Sequence, residues 1–277
     1  SGMVDSVYTV DLISVSPYNC RDTAQMDIIV HPKPEALFGL PNSAGCTPYT
    51  ANITNSSIGA TDFIWYFGDG DTSTTSNSTV IHTYTNLYTY PWNYTLTLIA
   101  ENNFGCLDTV DQTITIFPDV TADFTSDTIG CSPLDIQFSN LSTGAISNFW
   151  QFGDGNTSTD INPTHEFVNS TDTIQIYNVQ LSTLSSNMCA DSIIKQVYVY
   201  PVPDATFALD SIVSCSPYNA EIDNTTTGAT VYNWDFGDGT TSNDSSSVIY
   251  HEFENLLTVS QTFTINLDVQ NIYGCTD

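Results

Sequence analysis

The acidic and imidazole side chains that recur at fixed spacing have the most chemistry to offer. Asp69, Asp154 and Asp238 each stand between two glycines, in the hexamers WYFGDG (65–70), WQFGDG (150–155) and WDFGDG (234–239). Asp69 with Asp71, or Asp154 with Asp160, would present hard oxygen donors beside a loop, which is the chemistry of Ca2+. His82, His165 and His251 are the available bases. The pattern weighs against both uses. No EF-hand spacing is present, and Asp71 is replaced by Asn156 and Thr240 in the other copies. A base at one recurring position reads as a strand residue. No Gly-x-Ser-x-Gly, HExxH or phosphate loop occurs. Aspartates can always be paired into a glycosidase dyad on paper, but nothing singles out two of them. The expectation is no enzyme and no cofactor, with Ca2+ as the one alternative.

The spacing leads to the elements that carry these residues. Trp65, Trp150 and Trp234 are 85 and 84 residues apart, and Cys46, Cys131 and Cys215 keep the same steps. A second cysteine series, Cys20, Cys106, Cys189 and Cys275, steps by 86, 83 and 86. His82-Thr-Tyr84, His165-Glu-Phe167 and His251-Glu-Phe253 make a third series. The unit is longer than a solenoid repeat and about the size of a small domain. Its phase divides the chain. Residues 8–30 align with 94–116, so 1–32 read as the closing strands of an earlier repeat. Residues 33–118 and 119–202 read as whole repeats, and 203–277 as a repeat lacking its last strand. The chain reads as a window on a longer array.

Within a repeat the alternation has period two, the mark of half-buried strands. Tyr94, Leu96, Leu98 and Ala100 alternate with polar residues, as do Tyr177, Val179 and Leu181, and Phe263, Ile265 and Leu267. Trp65 and Phe67 share a face, as do Trp150/Phe152 and Trp234/Phe236. Short antiparallel strands of this kind make a sandwich, with the inward tryptophan anchoring its core. Gly68-Asp69-Gly70, Gly153-Asp154-Gly155 and Gly237-Asp238-Gly239 then read as the sharp turn after the strand. Glycine tolerates positive φ, and aspartate bonds its own backbone in a turn.

Three Lys and Arg face 31 acidic residues, a net charge of −28. Such a surface repels nucleic acid and anionic membranes, so neither nucleic-acid binding nor membrane insertion is expected. No signal peptide or membrane span is visible in the sequence. The cysteines lack zinc spacing, and disulfides are the economical reading. By phase they pair within each repeat: Cys46 with Cys106, Cys131 with Cys189, Cys215 with Cys275. Cys20 is left with a partner upstream of Ser1. Disulfides imply an oxidising exterior. Each such loop would contribute roughly 4 kcal/mol in chain-entropy terms.

The joints Val30-His-Pro-Lys-Pro34, Phe117-Pro118 and Tyr200-Pro-Val-Pro203 are short and proline-rich. They favour extended chain and a semi-rigid rod, with a span of ~120–150 Å from strands of about ten residues at 3.4 Å each. At these residues the chain resembles the polycystic kidney disease (PKD) domain. The resemblance rests on WxFGDG, the Ser/Thr-rich stretch after it, and the His-x-aromatic segment, with Pro163-Thr-His165-Glu-Phe167 the fullest copy. It implies an all-β fold of tandem immunoglobulin-like sandwiches in an extracellular protein, acting as a spacer, stalk or binding module. Acidic, cysteine-bearing arrays of this kind are similar to large secreted cell-surface and gliding-motility adhesins of Bacteroidota. The paired cysteines depart from many PKD domains.

Asp-Ser/Thr before an apolar residue recurs at Ser6, Thr23, Thr109, Thr128, Thr173, Ser192 and Ser211, with Ala24 following Thr23. This is similar to the O-glycosylation site of that phylum, which makes the chain a candidate glycoprotein. Asn52, Asn93 and Asn224 stand in N-x-Ser/Thr sequons. In the first full repeat Tyr88, Tyr90 and Trp92 form an aromatic loop with no counterpart in the others, and Trp92 is the candidate ligand contact. The reading is a structural spacer of a long surface adhesin or filament, whose partners are neighbouring repeats of its own chain. The alternative is an accessory array of a secreted hydrolase, binding surface glycans or another protein.

Overall fold

The computed structural model describes residues 4–277, and all regular structure in them is β-strand. Residues 1–3 of the segment 1–32 lie outside the described residues. No helix among the described residues is long and apolar enough to cross a membrane. The chain forms two compact units. One takes in the chain up to Val120 together with Ser186–Cys189, and the other takes in Thr121–Ser185 and Ala190–Asp277.

The first unit opens with a hairpin of β1 (Ser6–Val15) and β2 (Arg21–Val30), paired from Ser6↔Val30 to Val15↔Arg21. Both of its faces are exposed. Val10, Leu12 and Ile28 keep 51%, 69% and 49% of their surface, although their alignment partners Leu96, Leu98 and Ile114 are fully buried.

A sandwich follows. Its strands are β3 (Phe38–Gly39), β4 (Ala44–Cys46), β5 (Tyr49–Asn55), β6 (Asp62–Tyr66), β7 (Thr72–Ser73), β8 (Thr79–Tyr84), β9 (Trp92–Glu101) and β10 (Leu107–Phe117). One sheet has the order β4-β10-β9-β6-β7 and the other β3-β5-β8. Alternation puts Ala51, Ile53, Val80 and Tyr84 on the inner face of the smaller sheet. Trp65, Leu96, Leu98, Ile114 and Ile116 line the larger one, and all of these close into one core. Fully burying each aliphatic side chain contributes about 1.5–3 kcal/mol, which is why period two is so legible in these strands. Strand β4 runs parallel to the last residues of β10, with Cys46 opposite Phe117.

The second unit holds two more sandwiches. The first contains β11 (Phe124–Thr125), β12 (Ile129–Cys131), β13 (Leu134–Gln137), β14 (Ser139–Asn140), β15 (Ser147–Gln151), β16 (Thr157–Ser158), β17 (Thr164–Phe167), β18 (Gln175–Leu184) and β19 (Ala190–Tyr200). Its large sheet, β12-β19-β18-β15-β16, repeats the order of the first sandwich. The last sandwich contains β20 (Phe207–Leu209), β21 (Tyr218–Asn224), β22 (Val231–Asp235), β23 (Thr241–Ser242), β24 (Val248–Phe253) and β25 (Asn266–Gln270), in sheets β20-β21-β24 and β23-β22-β25. Trp150 and Trp234 are buried at the centre of these two cores, as Trp65 is in the first.

The disulfides correct the pairing expected from phase. Cys46 bonds Cys189, and Cys131 bonds Cys275. Cys106, Cys215 and Cys20 are free thiols. The reason lies in strand register. Cys46 sits beside Phe117 at the end of β10, whereas Cys106 immediately precedes Leu107 at its start. The 11 residues of β10 separate the two by roughly 35 Å, far beyond the reach of a disulfide. Cys131 and Cys189 are kept apart in the same way by β19. Each bridge therefore joins the first cysteine of one repeat to the hairpin-tip cysteine of the next.

Candidate functional site

The hexamer, its histidine and the aromatic loop come together in the first sandwich. Strand β6 ends in Tyr66, and the chain turns through Gly68 and Gly70, both at positive φ. Gly68 backs onto strand β9, where a Cβ would lie 2.5 Å from the Thr95 carbonyl oxygen. Only glycine allows that approach. Asp69 closes the turn by accepting the Asp71 backbone N–H at 3.0 Å. Its other oxygen, Oδ2, lies 2.6 Å from His82 Nε2. The His82 ring in turn stacks on Phe67 at 3.9 Å and meets Tyr84 edge-on at 4.7 Å.

The same corner is built twice more. His165 Nε2 lies 2.7 Å from Asp154 Oδ2, and its ring stacks on Phe152 at 4.1 Å. His251 Nε2 lies 2.7 Å from Asp238 Oδ2, with its ring on Phe236 at 3.9 Å. Asp154 and Asp238 accept backbone N–H groups from Asn156 and Thr240, each at 2.9 Å. Burial pushes the Asp238 carboxyl up, but hydrogen bonds from Thr240 and His251 outweigh it and hold the group at about 2. Asp69 and Asp154 move in the same direction, burial again being outweighed by hydrogen bonds that include those of His82 and His165. In each corner the carboxylate and the imidazole satisfy one another, and the aromatic strand end supports the ring.

The calcium pairs fare differently. Asp69 and Asp71 lie together with His82, their ligand atoms within 4.8 Å of one another. Asp69 has both oxygens engaged, one by His82 and one by the Asp71 backbone. Asp160 instead accepts from Ser158 Oγ, while Asp154 turns to Asn156 and His165.

Trp92 opens β9 and packs against Tyr88 at 4.6 Å, and Tyr88 stacks on Tyr90 at 5.3 Å. All three rings remain partly exposed. Tyr88 and Trp92 border a shallow depression together with Gly68, Asp69, Leu87 and Tyr94. Of the proposed modification sites, Thr23, Thr109, Thr128, Thr173 and Ser192 are exposed and Ser211 is half-buried, its hydroxyl bonded to the Val213 carbonyl. The aspartates before Thr109 and Ser192 have a structural partner. Asp108 accepts the Ala36 N–H and Asp191 the Ala122 N–H, both at 2.8 Å.

One set of residues escaped the sequence reading. Asn86 donates to the carbonyls of Tyr90 and Ile116, both at 2.8 Å, and so ties the aromatic loop to β10. Asn169 does the same with Thr173 and Val199, and Asn255 with Val259. The backbone N–H of each donates to Thr47, Ser132 or Ser216. These residues recur at the repeat distance, so a search by phase alone would have found them.

The family description "PKD domain" matches residues 30–117. Among solved structures, the chain is similar to the PKD1 domain of Vibrio anguillarum Epp. That match has 21% identity, covers 30% of this chain and 95% of that one, and has a TM-score of 0.26. The PKD1 domain from Vibrio cholerae metalloprotease PrtV matches at 27% identity over 31% of this chain and 98% of that one, with a TM-score of 0.25. A structure from a 1.5-MDa bacterial ice-binding adhesin aligns over 88% of this chain and 96% of that one, at 13% identity and a TM-score of 0.33. No curated protein matches the chain. Residues 30–117 are a PKD domain, and the two sandwiches that follow repeat its hexamer and its Asp–His–Phe corner.

Proposed function

We propose that the chain is a spacer segment of a long extracellular bacterial surface adhesin or filament, of the type found in Bacteroidota. The observation that carries this reading is the covalent link between successive repeats, as in Cys131–Cys275. A bridge inside one domain stabilises that domain alone. A bridge between neighbours resists separation of the pair, which is what a mechanical spacer needs. The mutual satisfaction of the Asp–His pairs supports a non-catalytic role. The acidic surface supports a soluble, self-repelling chain outside the cell.

A second reading is kept for one observation, the exposed Tyr88–Tyr90–Trp92 cluster beside Asp69. Aromatic faces stack on sugar rings, so this loop would hold a surface glycan. Small-angle scattering of the chain and a glycan array separate the two. The spacer reading expects a rod profile with a largest dimension of ~120–150 Å, from strand rise and domain number, and no glycan bound. A compact profile sinks it. Specific glycan binding that Trp92→Ala abolishes establishes the second reading.

A further inference from the structure

The two observed bridges follow one rule. A first-type cysteine, Cys46 or Cys131, bonds the hairpin-tip cysteine one repeat further on, at separations of 143 and 144 residues. Cys106 is a tip cysteine and Cys215 a first-type cysteine, and both are free. We propose that these two are further rungs of the same staggered ladder. Cys215 takes the tip thiol of a following repeat of this kind, and Cys106 takes the first-type thiol of a preceding one.

The surroundings of each thiol carry the argument. Asn102 Oδ1 accepts the N–H of Cys106 at 3.0 Å, and Asn102 Nδ2 donates to the Pro32 carbonyl at 2.9 Å. Around the bonded Cys275, Asn271 Oδ1 accepts its N–H at 3.0 Å and Nδ2 donates to the Pro201 carbonyl at 2.8 Å. His31 stacks on Phe104 at 3.7 Å where Tyr200 stacks on Tyr273 at 4.5 Å. Asp108 holds the Ala36 N–H as Asp277 holds that of Ala205, both at 2.8 Å. The Cys106 tip is thus docked on its proline joint in the same way as a tip that already carries a bridge. It differs in exposure: Cys106 is half-buried, whereas Cys189 and Cys275 are buried.

Cys215 is placed by the residue after it. Ser216 Oγ accepts the Asn255 N–H at 2.9 Å, as Thr47 Oγ1 accepts that of Asn86 and Ser132 Oγ that of Asn169. The hydrogen bond that flanks Cys46 and Cys131 is therefore formed in the third sandwich too, and Cys215 stands exposed beside it. Two sources can supply the missing thiols: a second copy of this chain, or a flanking repeat of the same polypeptide. In either case two thiols lose two protons and two electrons. A low-molecular-weight disulfide such as glutathione disulfide accepts them through a mixed disulfide and leaves as two thiols.

The test uses the full chain and a fusion in which residues 23–118 follow Asp277. Asp277 aligns with Asp22, so the added segment continues the third sandwich and places a second Cys106 one repeat beyond Cys215. Both proteins are oxidised with glutathione disulfide and their bridges are mapped by mass spectrometry without reduction. A Cys215–Cys106 peptide between two chains supports the ladder, with a second copy as the source. The same peptide found only within the fusion supports it, with a flanking repeat as the source. Cys215→Ser removes the peptide in either protein. Cys215 and the second Cys106 both staying free in the fusion, or a rearrangement to Cys46–Cys106 or Cys215–Cys275, overturns the proposal.

Discussion

Stretching the chain from its two ends reads the bridge pattern directly. Fully reduced, the backbone offers about 276 residue steps, or ~940 Å at about 3.4 Å each. With both bridges closed, the shortest covalent route leaves the backbone at Cys46, re-enters at Cys189, runs back to Cys131 and crosses to Cys275. That route holds about 105 steps, or ~360 Å. Reduction is therefore expected to release about 580 Å of contour length in single-molecule force spectroscopy. Single substitutions sharpen the test. Cys189→Ser opens one bridge and lengthens the route by about 27 steps, or ~90 Å. Cys106→Ser changes nothing, because Cys106 is unbridged within the chain. Were the bridges closed within repeats, Cys106→Ser would release about 60 steps, or ~200 Å. That longer release would refute the register argument from which the staggered pairing follows.

Three further perturbations probe the sandwiches. The buried Tyr84 hydroxyl has no hydrogen-bond partner, and Phe167 and Phe253 occupy the same place in the other sandwiches. Tyr84→Phe should stabilise the first domain by about 1 kcal/mol, read from the urea midpoint; a loss of stability counts against this reading. In the second sandwich a Cβ on Gly153 would lie 2.8 Å from the Asn178 backbone, whereas one on Gly155 meets nothing within 4 Å. Gly153→Ala should cost at least ~2 kcal/mol and Gly155→Ala only about 1, since the second carries backbone strain without a clash. Equal costs would remove the close-approach argument. Asp238 is held at about 2 in the folded chain. A depressed carboxyl adds stability that is present above its unfolded value near 4 and is lost as pH falls toward 2. The urea midpoint should therefore fall more steeply from pH 5 to 2 in the parent chain than in Asp238→Asn, and parallel curves would contradict it.

Much of this architecture is written in local sequence. Period-two alternation placed Leu96, Leu98, Val179 and Leu181 inward, and all four are buried. The glycines of the hexamer marked a turn because positive φ is a property of the residue itself, and Gly68, Gly153 and Gly237 all adopt it. The role of the recurring histidine was only half legible. Its strand position was clear, but its bond to Asp69, Asp154 or Asp238 joins residues 11 or 13 apart across a fold-back. The tryptophans differ in a way no motif announces. Trp150 and Trp234 donate to the carbonyls of Asp160 and Asp244, while the buried Trp65 Nε1 has no partner.

By itself, then, the sequence determined the repeat, the strands and the turn, because each depends on residues adjacent in the chain or on exact recurrence. Only the tertiary structure decided which sulfurs meet. Phase puts Cys46 and Cys106 in one domain and cannot say at which end of it each lies. The parallel pairing of β4 with the far end of β10 sets those ends about a strand length apart. The sulfur within reach of Cys46 is the one on the hairpin tip of the next repeat.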